Sequence, residues 1–247
     1  MKKYCFALLL FIGFTITHSV AQKNYPVNEF DKVIVSPHIQ VTFVAGDEES
    51  VRIESNSVSS DKLNIEVNNK TLRIYLDSAK EYTRNRKTSH GYEQYKTPVY
   101  QGTVVTAVVT YKTLNELSLR GEENHVCKSS LNGGVFKMWI YGESEVTLNE
   151  VNLDELVTVF YGESDLFIKA GSIRHQKYTS YGESKVNSYN ITGRTSNVTS
   201  YGEADFKLNV SDEIKLVAFG ETKLHYKGNP VISKKINMGE LEIDKVD

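Results

Sequence analysis

Cysteine is nearly absent from this chain: Cys5 and Cys127 are the only two. Cys5 falls in an N-terminal leader, so one thiol remains and no intrachain disulfide can staple the fold. The alternating pattern around Cys127 reads as a small buried hydrophobe, in preference to a reactive thiol. Proline is scarce, four in all, and no long window repeats with the 3.6-residue period of a helix. A surplus of positive charge is also missing, since 29 Lys and Arg face 31 Asp and Glu. That balance leaves no electrostatic footprint for nucleic acid. No segment beyond the leader is apolar enough to cross a membrane. The chain has no H-E-x-x-H, no G-x-S-x-G, no Gly-Lys-Ser/Thr phosphate loop and no motif for a cofactor. Its later histidines, His38, His90, His125, His175 and His225, fall at unrelated spacings.

The leader itself is informative. Lys2 and Lys3 precede an apolar stretch from Cys5 to Ile16, and Ser19-Val20-Ala21 offers small residues for cleavage. Residues 1–21 therefore read as a secretory signal peptide, and 22–247 as a single mature domain. Cys5 precedes the apolar core instead of following it, which argues against a lipoprotein anchor. The expected destination is outside the cytoplasm: periplasm, outer-membrane surface or extracellular space.

What the mature chain has in abundance is strand-forming residues. Tyr, Val, Thr, Ile and Phe alternate with polar residues, predicting strands at 31–35, 39–44, 51–54, 63–67, 72–76 and 103–109. Residues 77–101 break this rhythm with the charged run 80–87 and a polar, tyrosine-containing stretch. They read as an insertion loop, with a binding flap as the functional alternative.

The second half is a repeat. Tyr141-Gly142-Glu143-Ser144 recurs at 161–164 and 181–184, then as Tyr201-Gly202-Glu203-Ala204 and Phe219-Gly220-Glu221-Thr222. Arg120-Gly121-Glu122-Glu123 and Met238-Gly239-Glu240-Leu241 are degenerate copies. The glycines step by 21, 20, 20, 20, 18 and 19 residues. A fixed period of this size is the signature of a solenoid. Registered on glycine, positions two before, four after and six after are mostly apolar or small. That parity predicts one inward face. The fold class expected is all-β: a parallel β-helix of about 20 residues per rung, seven rungs stacking into a rod roughly 30 Å long. A leucine-rich repeat would need its own consensus and asparagine ladder, and a propeller about twice the period.

Stacked rungs turn each repeated residue into a column. Glycine would sit at a corner that needs a positive φ or lacks room for a Cβ. Tyr141, Tyr161, Tyr181, Tyr201 and Phe219 would form an aromatic column, either sheet-stabilising or a platform for sugar rings or another protein. Glu143, Glu163, Glu183, Glu203 and Glu221 would form an acidic column beside it, continued by Glu122 and Glu240. Like charges one rung apart repel by on the order of 1 kcal/mol in water, and about four times that near protein. Fanning into solvent, turn N–H groups, the following Ser or Thr hydroxyl, or cations would relieve this. Glu143 with Glu145, and Glu163 with Asp165, are calcium candidates. No metal is otherwise expected.

Two function classes follow. A repeated ladder favours structure or binding, because catalysis needs one position made unlike its neighbours. The alternative is a glycan-processing enzyme, lyase or hydrolase, using a pair of ladder carboxylates. Partners would be an envelope protein or a glycan.

The N-terminal strands add a resemblance. Phe30-Asp31-Lys32-Val33-Ile34-Val35, then Ile39-Gln40-Val41-Thr42-Phe43-Val44, the turn Gly46-Asp47-Glu48-Glu49 and Leu72-Arg73-Ile74, in this order before the repeats, resemble the auto-transporter adhesin, head GIN domain family. The likeness runs from about residue 27 to 245. It implies a right-handed β-helical fold in an exported bacterial envelope protein, and it supplies no site residues. This chain departs from the family's small Gly/Ser/Asp-rich punctuation by using Tyr-Gly-Glu-Ser.

Overall fold

The computed structural model describes residues 23–90 and 93–247. The expected signal peptide, 1–21, lies outside them. The alternating β-branched and aromatic residues form strands as anticipated, and the repeats wind into a β-solenoid of about six turns with rungs about 20 residues apart. Strand Leu131–Gly142 pairs in parallel with Glu116–Gly121 on one side and Val151–Ile168 on the other. Val151–Ile168 in turn pairs in parallel with the continuous strand Gly171–Lys227. Gly121 faces Gly142, Gly142 faces Gly162, and Gly162 faces Gly182. Gly202, Gly220 and Gly239 continue the column, each against the carbonyl oxygen of the glycine before it. Seven corners thus bound six turns.

Side chains of the predicted parity fill the interior. Leu119, Ile140 and Phe160 before the glycine, and Val146, Leu166, Val186 and Phe206 after it, are buried. The interior changes character midway: Gln176, Tyr178, Ser180, Ser184, Ser188, Ser196 and Ser200 are all buried too. Some satisfy one another. The Tyr178 hydroxyl donates to Gln176 Oε1 at 3.0 Å, and Ser184 Oγ to Ser180 Oγ at 2.8 Å. The inward pattern lapses in the last described rung, where Asn237 and Lys245 are exposed.

The two ends are built differently. At the N-terminal end, Ile39–Ala45 and Lys32–Val35 join the parallel stack. Ser50–Asn56, Lys23–Pro26 and Leu63–Asn68 then pair antiparallel and close it. At the C-terminal end Val231–Met238 follows the preceding winding with a register shift that leaves Lys235 unmatched. A lysine at a bulge on an edge strand discourages further pairing.

Residues 77–101 contain an antiparallel hairpin, Asn85–His90 with Glu93–Pro98, as a separate two-stranded sheet. His38 ties its base to the body. Its Nδ1–H donates to the Gly102 carbonyl at 2.7 Å, and Nε2 meets Thr83 Oγ1 at 2.6 Å.

Candidate functional site: the corner ladder

Each residue of Tyr-Gly-Glu-Ser has a separate task at the corner. Gly162 adopts φ +114°, and a Cβ there would lie 2.6 Å from the Gly142 carbonyl oxygen. Neither the dihedral nor the space suits another residue. Serine turns inward: Ser144 Oγ donates to the Gly121 carbonyl and Ser164 Oγ to the Gly142 carbonyl, both at 3.0 Å. The Glu143 amide donates to the same Gly121 oxygen at 2.9 Å. The hydroxyls therefore bind one winding to the last, and they do not relieve the glutamates as the sequence suggested.

The aromatic column forms in full. Ring centroids are 4.9 Å apart for Tyr141 and Tyr161, 5.2 Å for Tyr161 and Tyr181, 5.1 Å for Tyr181 and Tyr201, and 5.0 Å for Tyr201 and Phe219. Every pair is parallel within 8°. Each stacked pair contributes about 0.5–1.5 kcal/mol beyond its burial. The faces of the inner rings are covered by their neighbours, so what solvent meets is ring edges and hydroxyls. A sugar cannot lie flat on a ring whose face is taken. Among the described residues, the hydroxyls of Tyr141, Tyr161, Tyr181 and Tyr201 make no hydrogen bond.

Arg120 caps the column, a role the sequence reading did not assign. It occupies the tyrosine position before Gly121, pairs in register with Tyr141, and holds its guanidinium 5.1 Å from that ring's centroid. Glu81 ion-pairs with both Arg120 and Arg73, tying the cap to the insertion. Registration alone carried the signal, since Arg120 stands where the next four repeats have Tyr.

Glu143, Glu163, Glu183 and Glu203 are exposed beside the rings, with Glu221 half-buried. Relief comes from solvent and from the lysines that interrupt the second acid column. Lys185 lies 3.5 Å from Glu183, and Lys223 lies 3.0 Å from Glu221. Glu143, Glu145, Glu163 and Asp165 line a shallow hollow of about 290 Å³ with Ser144 and Ser164. Burial raises the Asp165 pKa; Lys185 lowers it, while Glu183 and Asp205 add to the rise. Among the described residues, no three His, Cys, Asp or Glu side chains converge to hold a metal ion. The calcium candidates thus line one hollow without forming a coordination shell.

Cys127 is fully buried, and burial pushes its thiol up to about 12. It packs as a hydrophobe. The histidines stay dispersed: His125 is buried inside the stack, where Nδ1 accepts from the Val41 amide at 3.3 Å, while His175 meets Thr195 Oγ1 at 2.9 Å.

Fold and site together define a capped β-solenoid with one decorated corner. The chain belongs to the family described as "Putative auto-transporter adhesin, head GIN domain", whose profile matches residues 29–230. It resembles the solved structure of a "putative adhesin" from Bacteroides fragilis, with TM-score 0.76 and 17% identity over 93% of this chain and 98% of that one. A "putative adhesin" from Parabacteroides merdae gives 0.64 at 15% identity, covering 92% and 96%. A "putative lipid binding protein" from Parabacteroides distasonis gives 0.62 at 18%, also covering 92% and 96%. At these identities the likeness establishes the shared fold. No curated protein matches the chain.

Proposed function

We propose that this chain is an exported, non-enzymatic binding or scaffold protein of the bacterial cell envelope, adhesin-like in use, whose contacting face is the tyrosine–glutamate corner. The observation that carries the reading is the uninterrupted stack of five rings beside an outward acid column. Its four phenol hydroxyls have no partner among the described residues. Family membership supports the adhesin-like role. The partner meets donors and acceptors repeated at winding spacing, which suits a periodic glycan or the polar surface of an envelope protein.

The test is binding of the mature chain to a glycan array and to solubilised envelope proteins. Wild type is compared with Tyr161→Leu/Tyr181→Leu and Glu163→Gln/Glu183→Gln. Loss of at least tenfold in both variants, with unchanged circular dichroism, supports the reading; undiminished binding in both refutes it. The glycan-processing alternative draws on Asp165, whose half-buried carboxyl is raised in pKa by desolvation. Release of reducing ends that stops with Asp165→Asn but survives Glu163→Gln would establish that alternative.

A further inference from the structure

Half a winding from the ladder, the solenoid carries a groove of about 670 Å³ that no repeated motif marks. One bank is charged. Asp154, Arg174 and Arg194 line it in three successive windings, with Asp212 paired to Arg194 from the next winding, and all four are exposed. Arg174 Nη2 lies 3.1 Å from Asp154 Oδ1. Arg194 contacts Asp212 Oδ2 through Nε at 2.9 Å and Nη2 at 2.8 Å. The register is fixed one residue on, where His175 meets Thr195 across adjacent windings. The opposite bank is neutral: Asn152, Ser172 and Thr192, again one per winding and exposed. Gly193 lies between the banks, and a Cβ on it would run into Nε2 of the buried Gln176 amide.

The order of charge along the bank is negative, positive, positive, negative. Each aspartate serves the arginine on its own side, and the two arginines stand on adjacent windings whose backbones lie about 4.8 Å apart. Each guanidinium carries five N–H donors, and the aspartates engage only some of them. Two adjacent forks with spare donors suit one planar carboxylate, held by charge-assisted hydrogen bonds. The flanking aspartates repel a second anion one step away in either direction. Hydroxyl and amide side chains across the groove suit neutral sugar hydroxyls. A nucleic acid or a fully charged polyanion would bring negative charge against Asp154 and Asp212.

We propose that this groove binds a linear acidic glycan along the solenoid axis, with one sugar carboxylate bridging Arg174 and Arg194 and neutral sugars on either side. The site is separate from the ladder, and its success or failure is independent of the reading above.

Calorimetric titration of the mature chain with three probes tests this. The probes are a hyaluronan octasaccharide, in which acidic and neutral sugars alternate; an oligogalacturonate of equal length, charged at every sugar; and a neutral chito-oligosaccharide. Hyaluronan should bind at least tenfold tighter than either of the others, and Arg174→Gln/Arg194→Gln should weaken it at least tenfold. Both substitutions are on exposed side chains, so the melting temperature should move little. Asp154→Asn/Asp212→Asn should admit oligogalacturonate and shrink the preference. Equal affinity for the neutral probe, affinity indifferent to the arginine variant, a preference for oligogalacturonate, or no binding by any probe would each overturn the proposal.

Discussion

Replacing Gly162 by alanine adds one methyl group at the most constrained point of the corner. Two costs follow. The φ of +114° is one that L-residues avoid, and holding a residue there costs about 1–3 kcal/mol. The new Cβ would also stand 2.6 Å from the Gly142 carbonyl oxygen and 3.2 Å from its carbonyl carbon and Cα. Those atoms are backbone, and relieving the contact means lengthening the ladder that Ser164 and the neighbouring amides maintain. We expect a total of about 3 kcal/mol or more, and a fall in melting temperature of roughly 6–12 °C for a chain this size. Gly162→Val should cost more. Gly134→Ala is the control, because a Cβ there meets nothing within 4 Å. Thermal melts of the three variants by circular dichroism give the answer. A Gly162→Ala midpoint within 2 °C of the Gly134→Ala midpoint, by the same scale of roughly 2–4 °C per kcal/mol, would refute the corner argument.

His125 should make the protein acid-sensitive. Burial lowers its pKa to about 4, against about 6.5 unfolded, so below pH 6.5 the unfolded chain takes a proton that the folded chain refuses. Stability should fall by about 3 kcal/mol as pH drops from 6.5 to 4 and then level off for this group. Urea midpoints across that range should be flatter in His125→Gln. Ser164→Ala removes the buried hydroxyl bond to Gly142 and should cost about 1 kcal/mol, read as a lower urea midpoint. Lys185→Ala breaks an exposed pair with Glu183 and removes a positive charge near Asp165, and should shift the midpoint by less than about 1 kcal/mol.

The winding, its period and its inward parity were legible because the same solution recurs in every turn. Gly142, Gly162, Gly182 and Gly202 share one backbone problem, so they share one residue. The tyrosine column was legible for the same reason. The function of Ser144 and Ser164 was not, since a hydroxyl next to a carboxylate reads naturally as its partner, and only the inward turn sends it to a carbonyl. The hairpin at 85–98 was hidden by its charged, turn-rich composition, which resembles a loop. The buried polar cluster of Gln176, Tyr178, Ser180 and Ser200 runs against the simple rule of an apolar interior. The arginine groove escaped because Asp154, Arg174, Arg194 and Asp212 differ in kind, and self-similarity finds only repeated residues. Their common feature is position around the winding, which becomes visible when the windings are stacked.

In a stacked solenoid the seven corners lie in one line. Spin labels on Glu122→Cys paired in turn with Glu203→Cys, Glu221→Cys and Glu240→Cys measure it directly, with the buried Cys127 remaining unlabelled. These pairs lie four, five and six windings apart. Their distances should rise evenly, by about 5 Å per winding, from roughly 19 to roughly 29 Å. Distances that fail to increase in that order, or that change in uneven steps, would contradict a stacked solenoid.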